Sequence, residues 1–288
     1  MQRSALALVA CMTLGLCNAN AQAVVAGDSP LTPRLRLVPQ SSDTTLADIL
    51  ESKDGTRLVT HDRRYAPRLW DAKTLKLLCT LGGANSPVTA VYFSPDGKQI
   101  LTKGTKEIQL WDSLRAKKIW TVPVVDKEKE EITAATFSPD GKKIAFTSRY
   151  GIVRVLSTNN PRDIKELKGL TIWTNSICFA GNDKVVAGGE DQMAIAWNAN
   201  TGEKLYEIPI GDKFVRWINA DSAGKTVLVT TLSGEAIAVD GRTGKLLYTK
   251  PHSIGSRSEE LLTDMAAKFV NSDEGQIVCA AEDGTLNI

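Results

Sequence analysis

The chain is poor in the residues that most protein chemistry needs. Its 288 residues include two histidines, His61 and His252, and no cysteine pattern stands near either. There is therefore no nucleophile–base pair and no His/Cys set at metal-ligand spacing. Five cysteines occur, none in a Cys-x-x-Cys arrangement. No segment reaches the roughly 18–20 consecutive apolar residues of a membrane span. Lys+Arg and Asp+Glu number 35 and 33. That balance argues against nucleic acid as the main partner and against strong attraction to an anionic membrane. A sustained helical period is missing as well, with Glu259–Lys268 the one candidate.

The first residues are of a different kind. One cation, Arg3, precedes the apolar run Ala5–Leu16, and Ala21-Gln22-Ala23 has small residues where a signal peptidase cuts. Residues 1–23 read as a secretory signal peptide, too short to span a bilayer. Cleavage after Ala23 would send the protein to the periplasm or the cell exterior, with no integral membrane segment remaining. Three cysteines would survive, Cys79, Cys178 and Cys279. Each lies in an apolar strand context and is expected to pack as a small apolar residue. Residues 24–42 carry Pro30, Pro33 and Pro39 and read as a linker. Within it Arg34–Val38 is a candidate strand that could clasp the last sheet and remove a free edge, or a tail.

What the sequence has in abundance is repetition. The glycine of an acidic turn falls at Gly55, Gly97 and Gly141, gives way to Asp183, and returns at Gly224 and Gly275; the steps are 42, 44, 42, 41 and 51. A second marker falls at Trp70, Trp111, Leu156, Trp197 and Val239, in steps of 41, 45, 41 and 42. The two markers stay in phase. Each unit reads as four strands. The first ends in an aromatic, as in Val88–Phe93 and Ile132–Phe137, and a Pro-Asp-Gly turn follows. Strand two is built around Ile100 or Ile144, strand three ends in Trp-Asp, and a Thr-Gly turn leads to strand four. A step of about 40–45 residues with Trp-Asp is the signature of an all-β propeller of four-stranded blades. About six units are visible over 43–288. The sixth is incomplete at Ile288, so the expectation is a fragment of a longer protein, or a blade completed by another strand.

FSPDGK, LWD and the step of about 42 residues resemble the WD-repeat family, over about Asp43 to Ile288. The resemblance implies a non-enzymatic scaffold that binds a protein or peptide, without a cofactor. The family often carries a Gly-His pair ahead of strand one, whose His enters a hydrogen-bonded network. Neither histidine sits there, so apolar burial is expected to hold the blades together. Ala236–Tyr248 and Ala196–Ile208 also look like the repeats of quinoprotein-like propellers. The lead-in PRLRLVPQ resembles that of propellers fused to a caspase-like peptidase, which would make the chain the regulatory part of a larger enzyme.

Propeller ligands usually meet the face formed by the loops between strands two and three and between successive blades. Read along the chain, the strand-two-to-three loops offer His61, Asp62, Arg63, Arg64 and Tyr65, then Lys103 and Lys106, then Arg149 and Tyr150. Further on they offer Glu190 and Asp191, then Glu282 and Asp283. These residues make a face that is basic and aromatic over units one to three and acidic over units four and six. Such a face could dock a charged polypeptide, or be ordinary solvated loops. The two acidic pairs could also attract calcium, but no spacing matches a calcium loop. Trp173, just before strand one of the fourth unit, is either an exposed anchor or a packing residue. Trp217 is expected in the core, and Trp70, Trp111 and Trp197 at packing positions. Asp71, Asp112, Asp96 and Asp140 recur with the repeat and so read as turn formers. The run 126–131 reads as a solvated linker.

Overall fold

Four antiparallel strands recur, joined in chain order by tight turns. The computed structural model describes residues 48–62, 65–82, 87–123, 131–221, 223–233, 235–251, 266–269, 277–280 and 286–287. Blade one is β1–β4 (Asp48–Glu51, Arg57–Asp62, Tyr65–Asp71, Leu77–Thr80) and blade two β5–β8 (Val88–Phe93, Gln99–Gly104, Glu107–Asp112, Lys117–Pro123). Blade three is β9–β12 (Ile132–Phe137, Lys143–Ser148, Val153–Ser157, Ile164–Leu167) and blade four β13–β16 (Thr174–Phe179, Lys184–Gly189, Met193–Asn198, Lys204–Pro209). Blade five is β17–β20 (Val215–Ala220, Thr226–Thr231, Glu235–Asp240, Leu246–Pro251), and β21–β23 (Ala266–Phe269, Ile277–Ala280, Leu286–Asn287) form a three-stranded sixth sheet. The protein is an all-β propeller of four-stranded blades, and no helix occurs among the described residues. Ala266–Phe269 is a strand, so the end of the helical candidate Glu259–Lys268 is corrected. The rest of that segment lies outside the described residues, as do Arg34–Val38 and most of the 126–131 run.

The first corner is held by its own side chains. Ser94 Oγ donates to Asp96 Oδ1 (2.7 Å), Lys98 N–H donates to the same oxygen (3.0 Å), and Gln99 N–H donates to Ser94 Oγ (2.9 Å). Ser52–Asp54 and Ser138–Asp140 repeat the arrangement. Blade four departs from it. There the turn closes from Ala180 N–H to Lys184 O, one residue shorter than Ser138 N–H to Lys143 O in blade three. The left-handed residue is therefore Gly181 (φ 71°), not a substitute at Asp183. Asp183 instead pairs with Lys143 (3.3 Å) and accepts from Asn200 (2.8 Å). At the second corner, Asp71, Asp112 and Asp240 accept backbone N–H groups of the following turn, as does Asn198. The repeating aspartates are turn formers.

In blades two to five β6, β10, β14 and β18 are buried almost continuously rather than alternately, as strands covered on both faces are. The apolar clusters lie between blades. One joins Val59 and Leu69 of blade one to Val88, Val91 and Trp111 of blade two, and three more follow at the next junctions. First strands do not alternate cleanly. In blades two to five the pairing of strands one and two skips one residue, Thr89, Thr133, Asn175 or Arg216. The bulge shifts the phase. Val88 and Val91, three residues apart, thereby enter the same core.

The corner tryptophans are packing residues, and strand two adapts to them. The Trp70 and Trp111 indoles donate to Thr60 and Thr102 (2.9 and 3.1 Å). Trp197 faces the small Ala187 position and donates to Lys168 O instead (2.9 Å). Where the corner residue shrinks to Leu156 or Val239, the corresponding positions of strand two hold Phe146 and Val229. In blade three the larger Phe146 offsets the smaller Leu156, as close packing requires, whereas the Val239–Val229 pair of blade five is smaller than the others.

The apolar clusters are the expected main link between blades, and polar bonds tie the blades together as well. Buried His61 sits on β2, with Nε2 3.0 Å from Val88 O of blade two. At the same position of β6, Lys103 Nζ donates to Ile132 O and Thr133 O of blade three (3.2 and 3.1 Å). Thr133 Oγ1 in turn donates to Thr174 O of blade four and bonds Thr147 Oγ1 (2.8 Å). At the opposite end of the blades, Trp120 donates to Thr158 O and Tyr206 to Gly241 O (2.8 and 2.7 Å), each reaching the next blade.

Candidate docking site

The strand-two-to-three loops and the linkers into each strand one meet at one end of the blades. They are laced by a repeated bond. The residue after strand two, Arg149, Glu190 or Leu232, donates its N–H to the carbonyl just before strand one, Glu131, Trp173 or Phe214 (3.0, 2.9 and 2.9 Å). This places Glu131, Trp173 and Phe214 in register on successive blades.

Trp173 is the best-held exposed aromatic of this end. Gly189 lies against its backbone so closely that a Cβ there would meet Trp173 O at 1.8 Å. Gly151, at φ 73°, lies close to Leu170 and Thr171 of the same linker, where a Cβ would meet backbone at 2.5 Å. Asp191 fixes the linker further, accepting from Thr171 N–H, Thr171 Oγ1 (2.7 Å) and Ile172 N–H (3.2 Å). The Arg149 guanidinium sits 4.4 Å from the indole centroid and 3.8 Å from Glu131. With its backbone anchored and Arg149 beside the ring, Trp173 remains 40% exposed. Tyr150, Ile172 and Phe214, in the loops and linkers of the same end, are 48%, 46% and 40% exposed. A rigid aromatic surface next to charged groups is the composition of an interaction anchor rather than of a reaction centre.

The sequence-based candidates divide. Arg149, Tyr150, Trp173, Glu190 and Asp191 are brought into this sector. Lys106 is exposed in the blade-two turn, and Tyr65 is exposed on β3 of blade one. Lys103 is not part of the surface: it is 8% exposed, bound to blade three, and burial pushes its pKa down to about 8. His61 is likewise a buried junction residue. The basic face over units one to three is accordingly reduced, with Arg149 paired to Glu131. Arg63, Arg64, Glu282 and Asp283 lie outside the described residues. Trp217 corrects the core expectation, being 43% exposed with Arg216 5.9 Å from its ring. The bulge at Arg216 turns it away from the Val215–Ile218 core face. Phe214 and Ile172 escaped the sequence reading. Their only signal was register, an apolar residue just before strand one.

Among the described residues no three His, Cys, Asp or Glu side chains gather to hold a metal. Burial pushes the Cys178 thiol up to about 12, and Cys79 upward as well, so neither is primed as a thiolate.

The model of the WD domain, G-beta repeat, matches residues 75–112, from the end of blade one to the Trp-Asp of blade two. WD repeat-containing protein 1 of Gallus gallus is 26% identical over 164 residues, which is 53% of this chain and 26% of that protein. Protein hir1 of Schizosaccharomyces pombe is 27% identical over 187 residues, 60% of this chain and 17% of that protein. The chain spans about a quarter or less of the curated relatives it matches. With a Trp-Asp repeat in phase with four-stranded blades, these matches make the chain similar to the WD-repeat β-propellers.

Proposed function

We propose that the protein is a non-enzymatic scaffold that docks a polypeptide segment on the loop end of blades three to five, in the periplasm or outside the cell. The exposed Trp173, braced by Gly189, Asp191 and Arg149, carries this reading. Fixing a large side chain in advance lowers the ordering cost of binding, which is what an anchor residue needs. The location rests on the leader Met1–Ala23; the N-terminus of the protein from its native source tests it, with Val24 expected and Met1 overturning it.

A photo-crosslinking amino acid at Tyr150 should join the partner covalently in cells. The same probe at Leu114, exposed at the opposite end of blade two, should not. Adding Trp173→Ala should reduce the Tyr150 adduct by about tenfold, an effect of the size expected of an interface anchor. Equal adducts at both ends, or one indifferent to Trp173, would refute the docking site.

A further inference from the structure

Among the described residues around Trp173, carboxylates outnumber cations. Glu131, Glu190, Asp191, Asp212 and Glu235 stand against Arg149, Lys168 and Lys213 in the linkers and loops of this sector and on β19. Two pairs neutralise themselves, Glu131 with Arg149 (3.8 Å) and Glu235 with Lys213 (2.5 Å). Among the described residues Glu190, Asp191 and Asp212 then stand against Lys168 and, on the next blade, Arg216, which lies beside the Trp217 ring. The Asp191 carboxylate accepts only from neutral donors, so its charge persists. Glu190 has no side-chain partner among the described residues, and its N–H is bonded to Trp173 O (2.9 Å). Its backbone is therefore held against that of Trp173.

The indole already holds one cation. Arg149 stacks on it at 4.4 Å, the geometry in which an aromatic face attracts a guanidinium. Trp173 as a residue remains 40% exposed and so offers further π surface, near the Glu190 and Asp191 carboxylates, which make no ion pair among the described residues. Building on the docking reading above, we infer that the segment received at Trp173 presents a basic side chain, an Arg or Lys flanked by apolar residues. The cation stacks on the exposed indole within the field of Glu190 and Asp191, and its neighbours cover Tyr150, Ile172 and Phe214. A partner carrying acid at that position would meet like charge, which excludes it.

The test uses the whole chain and three dye-labelled peptide pools alike in apolar content, with Arg, Gln or Glu fixed at the centre, and reads binding by the fluorescence anisotropy of the peptides. The Arg pool should bind about tenfold or more tighter than the Gln pool, and the Glu pool weakest. Raising salt from about 0.05 M to about 0.5 M should erase most of that preference. Glu190→Lys should remove the preference for Arg while leaving the thermal midpoint unchanged. Trp173→Leu should weaken the Arg and Gln pools together. Should Trp173→Leu fail to fold, Glu190→Lys still decides. Equal binding of Arg and Gln pools, unchanged by Glu190→Lys, overturns the basic partner but leaves the docking site standing. Failure of every pool while the Tyr150 crosslink persists does the same.

Discussion

Two junctions in this propeller solve one packing problem in opposite ways. Between blades two and three, Lys103 reaches across from strand two and binds two carbonyls of the next first strand. Between blades four and five the same repeat position is Gly188. A Cβ there would come within 3.1 Å of Val215 Cγ2 and 3.0 Å of Met193 O. One junction is bridged by a charged tether, and the other is closed by direct apolar contact. The backbone frame is the same, so the difference is set by a single side chain and the room its neighbours leave. Blade one adds a third solution with His61, and blade three a fourth with the Thr147–Thr133 pair.

Exchange of the two solutions should cost most. Gly188→Lys places a charge in the tight apolar junction without the carbonyls that serve Lys103. A loss of about 4 kcal/mol is expected, read by denaturant unfolding. A loss below about 1 kcal/mol would mean the junction has slack.

Lys103 itself gives the next largest effect, and it is visible in pH. Its folded pKa is about 8, below the ordinary 10.5. Between these values the unfolded chain holds a proton that the folded chain has lost. Stability should therefore rise from pH 8 to pH 10.5 by on the order of 2–3 kcal/mol from this group. Lys103→Met should flatten that rise while remaining close to wild type near pH 9, since a buried charge can be replaced by an apolar group of similar shape with little loss. An unchanged slope in the variant would reassign the rise to other groups.

Thr133→Val tests the hydroxyl relay of blade three. It removes the bond to Thr174 O and leaves Thr147 Oγ1 without this partner. A loss of about 1 kcal/mol is expected, between the two extremes above.

The smallest effect belongs to the turns, which lie outside the junctions. The Thr243 hydroxyl and then its N–H hold the Asp240 pKa below the usual carboxylate range. Its contribution is present above the unfolded pKa and is lost as pH falls through the lower folded one. Asp240→Asn should lie closest to wild type at about pH 2 and furthest below it near neutrality. A constant offset across that range would show that the turn gains nothing from the charge.

The fold was largely legible because a repeat writes the same local chemistry again and again. Ser94-Pro95-Asp96-Gly97 closes a turn from its own side chains, and Asp112 caps its own corner, so no distant residue is needed to recognise either. The docking sector was only partly legible. Arg149, Tyr150 and Trp173 stand out as charged or aromatic residues in loops. Lys103 reads the same way, yet it is buried, because the identity of its acceptors is decided by blade three. Trp217 was misread because the bulge at Arg216 changes which side of the strand meets the core. Asp183 was misread because one residue is missing from its turn, and the left-handed position moved to Gly181.

The sequence by itself determined the blade, its four strands and its two self-capped corners, since those depend on contacts a few residues apart and on a marker that recurs with each unit. The tertiary structure alone decided which polar residues became tethers, which aromatics stayed exposed, and that Arg149 would lie on Trp173. Each of those outcomes depends on how one blade sits on the next, across separations of some 25 to 40 residues, where no local rule relates the partners.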